Sequence, residues 1–159
     1  MKTLNIFLLA LTLVLVIQSD SQSQWTGDPN NPMVVCNEPT DQKEPVMVTD
    51  GSGGYFIFWT DLRNYGANEA DLYGQHLDAA GNKLWVTAGK KIADSVFYSV
   101  PKAVYTSDGN IILLFSTTNG GGKIWAKKIN SLGNSIWSVP FYIAGWPQLG
   151  ADIYDAVTD

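Results

Sequence analysis

Two runs are apolar at every position, Tyr55–Trp59 (YFIFW) and Ile111–Phe115 (IILLF), while the sequence around them alternates only in short stretches. An unbroken apolar run of this length predicts a strand covered on both faces. A turn precedes each run, Asp50-Gly-Ser-Gly-Gly54 in one case and Asp108-Gly-Asn110 in the other. Before those turns lie two shorter strands, Pro45–Thr49 and Lys102–Thr106, with proline tolerated at the first strand residue. After each run a polar loop, Thr60–Ala70 or Ser116–Lys123, leads to a third strand at Asp71–Leu77 or Ile124–Ile129.

The third strand opens the clearest internal repeat. Gln75–Trp85 (QHLDAAGNKLW) recurs as Lys127–Trp137 (KKINSLGNSIW) at a constant offset of 52. An apolar residue, an Asx, two fillers, Gly-Asn, an apolar residue and Trp read as strand, tight turn, strand. The Asx oxygen accepts from the turn backbone and glycine supplies the positive φ. The fourth strand of the first repeat is therefore expected at Lys83–Thr87.

No stretch after the N-terminus carries a helical period. Four short strands per repeat of about 50 residues fit a propeller blade, and a β-helix coil would be shorter. The expected fold class is all-β, with antiparallel four-stranded propeller-type blades in an incomplete propeller. Residues 24–44 are a lead-in that ends a partial repeat, with Trp25 and the run Met33–Cys36 placed like Trp85 and Lys91–Ala93. Residues 45–100 form the first blade-like repeat and 101–146 the second. Residues 147–159 start a third that stops at Asp159, where the first two continue Asp-Gly. One blade cannot bury its own apolar faces, so further blades of a longer chain, or self-association into a ring, are expected.

Residues 1–23 read as a signal peptide: Lys2, then a 12-residue apolar stretch from Ile6 to Ile17, then small polar residues before Gln24. Twelve residues fall short of the roughly 20 that span a bilayer. The expected location is secreted, extracellular or cell-surface, with no membrane attachment after signal cleavage. The net charge of −5 without a basic block disfavours nucleic acid and anionic lipid as partners. Cys36, the single cysteine, is expected as a small, buried apolar residue.

The order Pro…Asp50-Gly-Ser-Gly-Gly, Trp59-x-Asp61-x-Arg63, Asp71-x-Tyr73-x-Gln75-x-x-Asp78-x-x-Gly81-x-x-x-Trp85 resembles repeats of large secreted and surface proteins of gliding bacteria. The resemblance implies a multi-bladed propeller and export, without an assigned activity. The second repeat departs from it: Phe115 replaces Trp, the Asp-x-Arg is gone, and Lys123 stands where Asp71 would.

Asp61, Arg63, Glu69 and Asp71 flank one loop. They could form a carboxylate pair for glycoside hydrolysis, or a calcium site with Asn64 and Asn68. The structural alternative, which the Asp-x-Arg spacing favours, pairs Arg63 with Asp61 or Asp71 at the loop base. Trp59, Trp85 and Trp137 are read as packing residues, and Trp125 and Trp146 as better candidates for stacking on a sugar. His76 has no Cys or His companion for a metal. The glycine-rich Asn119–Lys123 joins two strands and lacks the helix that a phosphate loop needs. The binding candidates are thus Asp61, Arg63, Asp71 and Trp125, with no catalytic residue, metal or cofactor. The expected function is a non-catalytic secreted repeat module that binds extracellular glycan or a surface protein, or acts as a spacer. The rival is the N-terminal fragment of an extracellular glycan-processing enzyme of glycoside hydrolase or sialidase type.

Overall fold

A computed structural model of the chain describes residues 29–64, 70–96, 100–117 and 122–145. The expected signal peptide, Trp25, Asn68, Glu69, Trp146 and the third repeat lie outside them. Among the described residues the chain is all-β and has no helix. Eight strands build one antiparallel sheet that curls as a half-barrel. The strands are β1 (Gln42–Thr49), β2 (Tyr55–Asp61), β3 (Ala70–Leu77), β4 (Lys90–Val96), β5 (Lys102–Tyr105), β6 (Ile111–Thr117), β7 (Lys123–Ile129) and β8 (Phe141–Gly145).

Pairing runs β1-β2-β3-β4 in the first repeat and β5-β6-β7-β8 in the second, and the single pair Val96–Thr117 joins the two meanders. Register fixes which residues share a face, because directly opposed residues point the same way. In the first meander Val46, Phe58, Gly74 and Lys90 form one row, and Met47, Ile57 and Gln75 form a row on the opposite face. The matching rows of the second meander are Lys102, Leu114, Ala126 and Phe141, and Ala103, Leu113 and Lys127.

The core lies between the meanders. Phe56, Phe58 and Leu72 of the first pack with Ile111, Leu113, Phe115 and Ile129 of the second in one buried cluster. Burying each such side chain contributes roughly 1.5–3 kcal/mol. The opposite face of each meander has no such partner among the described residues. Tyr55 and Ile57 are half-buried beneath Met33 and Val35, and Ile112 and Leu114 are half-buried.

Two expectations about strands need correction. β1 begins at Gln42, and Pro45 sits inside it at a bulge where Glu44 takes φ 53°. A bulge leaves a residue unpaired, so the missing proline N–H costs no ladder bond. The fourth strand is Lys90–Val96, not Lys83–Thr87. Only Leu77–Lys83 pair across the hairpin. Beyond that the buried Gln75 amide takes over the backbone, its Oε1 accepting from Trp85 N (3.0 Å) and its Nε2 donating to Val86 O (2.9 Å). Gly89, at φ 87°, then turns the chain into β4.

The two repeat turns are near copies. Asp78 Oδ1 accepts from Ala80 N and Asn82 N at 2.9 and 2.8 Å, and Asn130 Oδ1 accepts from Leu132 N and Asn134 N at 3.0 Å each. Gly81 and Gly133 stand at φ 82° and 72°. A Cβ on Gly133 would also lie 3.0 Å from Trp85 Cζ2. Gly81→Val is expected to destabilise the fold by about 1–2 kcal/mol through the left-handed backbone alone. Gly133→Val is expected to cost more, and urea unfolding of both variants measures the difference.

Candidate functional site

Alternation along β2 puts Trp59 and Asp61 on one face. The strand ends when Leu62 N donates to Asp41 O (3.1 Å), and the chain folds Arg63 back over the same carboxylate. Asp61 is fully buried and holds four hydrogen bonds. Its Oδ2 accepts from Trp59 Nε1 (2.8 Å) and Arg63 Nη2 (2.7 Å), and its Oδ1 accepts from Arg63 N and Nε at 2.9 Å each. The guanidinium lies 3.9 Å from the Tyr73 ring centroid and donates a further bond to Ala88 O (2.8 Å). Cys36 is half-buried beside it, its sulfur 3.6 Å from Arg63 Nη2.

Burial alone would raise the Asp61 pKa, but the bonds from Arg63 and Trp59 outweigh it and hold the carboxyl below its ordinary value. The bond to Asp61 in turn pushes the Arg63 pKa up. A carboxylate with every lone-pair direction occupied has none to offer a substrate or a cation. The arrangement is a strut that ties the β2 end to the segment before β4.

Asp71 lies directly opposite Asp61 in the β2–β3 register. It accepts from Asn64 Nδ2 (2.9 Å) and Ser95 N (3.3 Å), and Lys91 Nζ stands 3.7 Å away. Arg63 therefore pairs with Asp61, and Asp71 is bound by β4 and Asn64. Among the described residues no group of three or more His, Cys, Asp or Glu could hold a metal ion.

Trp125 is not near this hub, because it belongs to the second meander. It is nevertheless the hub's counterpart: Tyr73 opposes Trp59, Trp125 opposes Phe115, and Thr117 opposes Lys123 where Asp61 opposes Asp71. The sequence has no Asp-x-Arg here, and among the described residues no guanidinium stands where that of Arg63 does. A cavity of about 380 Å³ lies there, with Trp125, Phe115 and Ile92 as apolar walls and Thr117, Lys127 and Asp94 as polar ones. Trp125 Nε1 donates to Thr117 Oγ1 (3.2 Å), and its ring meets Tyr142 edge-on at 5.4 Å. Burial pushes the Lys127 pKa down, against the pull of Asp94. Lys127 Nζ donates to Ile92 O.

A second polar pair was not apparent from the sequence. His76 Nε2 stands 3.0 Å from Asp50 Oδ2, and the imidazole stacks on Phe56 with centroids 3.9 Å apart. Asp50 also accepts from Ser52 N and Gly54 N at 2.8 Å each. Burial opposes ionisation of Asp50, yet the His76 bond and the turn amides lower its pKa to about 2. A carboxyl depressed in the folded state stabilises the fold above its unfolded pKa, and that contribution is lost as pH falls. Stability is thus expected to decline between about pH 4 and pH 2. Asp50→Asn should flatten that part of the profile in thermal melts taken across the range.

Comparison with known protein families, curated proteins and solved structures finds no match to this chain.

Proposed function

We propose that the two meanders are propeller-type blades of an exported repeat protein, and that the chain is a non-catalytic module that binds an extracellular glycan or a surface protein. The observation that carries this reading is the cavity at Trp125, which has an aromatic floor with polar groups at its rim. A flat indole beside a hydroxyl, an ammonium and a carboxylate suits a sugar ring, whose apolar face stacks while its hydroxyls take hydrogen bonds. Of the acidic residues that could serve a hydrolase, Asp61 supports the same reading, since Arg63 and Trp59 saturate it, and Asp71 is engaged by Asn64 and Ser95. Blade assignment draws support from the four-strand meanders and their face-to-face packing.

The test is a glycan array probed with the chain from Gln24 onward. Binding to one saccharide class is expected, weakened about tenfold or more by Trp125→Ala, which is a loss of about 1.4 kcal/mol. Asp94→Ala, at an exposed rim position, should weaken it without changing the melting temperature. Turnover of fluorogenic glycosides by the purified chain would overturn the non-catalytic reading.

A further inference from the structure

The joint between the two repeats is a docking geometry that the chain presents a second time, half on each end. Trp85 of the first repeat donates from Nε1 to Ser131 O in the second repeat's turn (3.0 Å). Lys90 Nζ reaches the same turn, at Leu132 O (2.8 Å) and Asn134 Oδ1 (2.7 Å). Gly133 is buried under these two side chains, whereas Gly81, at the same place in the first turn, is half-exposed. Among the described residues the first turn thus has the shape of a receptor without the tryptophan that fills it in the second. Trp137, the repeat partner of Trp85, is half-buried and stands in the last described repeat turn.

The sheet faces follow the same logic. Val46 and Phe58 of the first meander are covered by the second. Their register equivalents include Leu114 and, in the same row, Phe141, which is 67% exposed. The face that covers Phe58 includes Leu113, whose equivalent is Ile57. Around Ile57, with Met47, Tyr55, Met33 and Val35, lies an apolar groove of about 390 Å³. Met47 is 59% exposed. One end of the chain therefore offers the knobs and the other the groove.

We propose that a second copy of this chain docks head to tail: the Leu114–Phe141 face of one copy seats in the Met47–Ile57 groove of the next. Trp137 Nε1 then donates to Ala79 O of that next copy, as Trp85 does to Ser131. The inference rests on the reading of the repeats as stacking units. A heterologous contact of this kind propagates or closes into a ring, because among the described residues each copy leaves one face of each type uncovered. Phe141 stands where Lys90 would, so the joint between copies exchanges the lysine bonds for apolar area.

Sedimentation velocity on the chain from Gln24 onward tests this. The expected result is a mass that rises with concentration in multiples of the protomer. Met47→Glu and Phe141→Glu alter exposed residues on opposite ends, and each alone should weaken association at least tenfold. Mixed together they should form a dimer and nothing larger, since each supplies the face the other lacks. A chain that stays monomeric at several hundred micromolar would overturn the proposal. A two-fold symmetric dimer blocked by only one variant would overturn it as well. Trp85→Ala separates the two ideas, because it disturbs the joint inside one chain. If that variant melts lower while the parent is monomeric, repeat stacking stands and only the docking falls; an unchanged melt removes the stacking reading itself.

Discussion

Asp61→Asn should lower the melting temperature by about 10 °C at neutral pH, the result of losing about 3 kcal/mol. The wild-type carboxylate is fully buried and receives four donors, two of its bonds coming from the Arg63 guanidinium. Asparagine keeps one acceptor oxygen and places an amide donor where the second stood. That donor faces either Trp59 Nε1 and Arg63 Nη2 together or, with the amide reversed, Arg63 N and Nε, and donors cannot satisfy each other. The charge of Arg63, whose side chain is only 16% exposed, then loses its counter-ion and keeps only neutral partners: the remaining amide oxygen, Ala88 O and the Tyr73 ring. Breaking a buried pair by removing one partner is costly for this reason, more so than replacing the whole pair. The double variant Asp61→Asn with Arg63→Met should accordingly recover part of the loss. Circular dichroism melts of the three proteins decide the matter, and a shift under about 2 °C in the single variant would remove the strut from the account.

How much of this was legible depended on range along the chain. The apolar runs at Tyr55–Trp59 and Ile111–Phe115 became β2 and β6, and the Asx-Gly turns closed where the sequence places them. These features are decided by neighbours a few residues apart. That Arg63 ties down the loop base was legible for the same reason, but the choice of Asp61 over Asp71 was open in the sequence and follows from how the strand end folds Arg63 back. The fourth strand was misplaced, since Lys83–Thr87 alternates like a strand but loses its ladder to the Gln75 amide, which no local pattern reports. The His76–Asp50 contact joins residues 26 apart and needs the β2–β3 register to be known. Trp125 could be picked as an aromatic with few local constraints, yet its cavity is walled by β4 and β6 as well, which only the fold brings together. The missing Asp-x-Arg was visible as a departure between repeats; that a cavity lies beside Trp125 required the packing.

The same packing makes Gly89→Val the substitution with the second large effect, expected to cost about 3–5 kcal/mol and to leave the chain largely unfolded above about 40 °C. Gly89 stands at φ 87°, a conformation that a β-branched residue enters only under strain of about 1–2 kcal/mol. Its N–H donates to Val86 O (2.8 Å), closing the turn that aims the chain into β4. A Cβ at this position would lie 2.6 Å from Trp59 Cη2 and Cζ2 and 3.2 Å from Gly74 O. The indole cannot retreat, because its Nε1 is held by Asp61, and Asp61 is held by Arg63. Strain in the turn and overpacking on the ring therefore add, and both fall on the strut between β2 and β4. Gly89→Ala meets the same atoms with a smaller side chain and should lose less. Equal losses in the two variants would mean that the first carbon carries the whole penalty. A melt for Gly89→Val within a few degrees of the parent would show that Trp59 is free to move, contrary to its bond with Asp61.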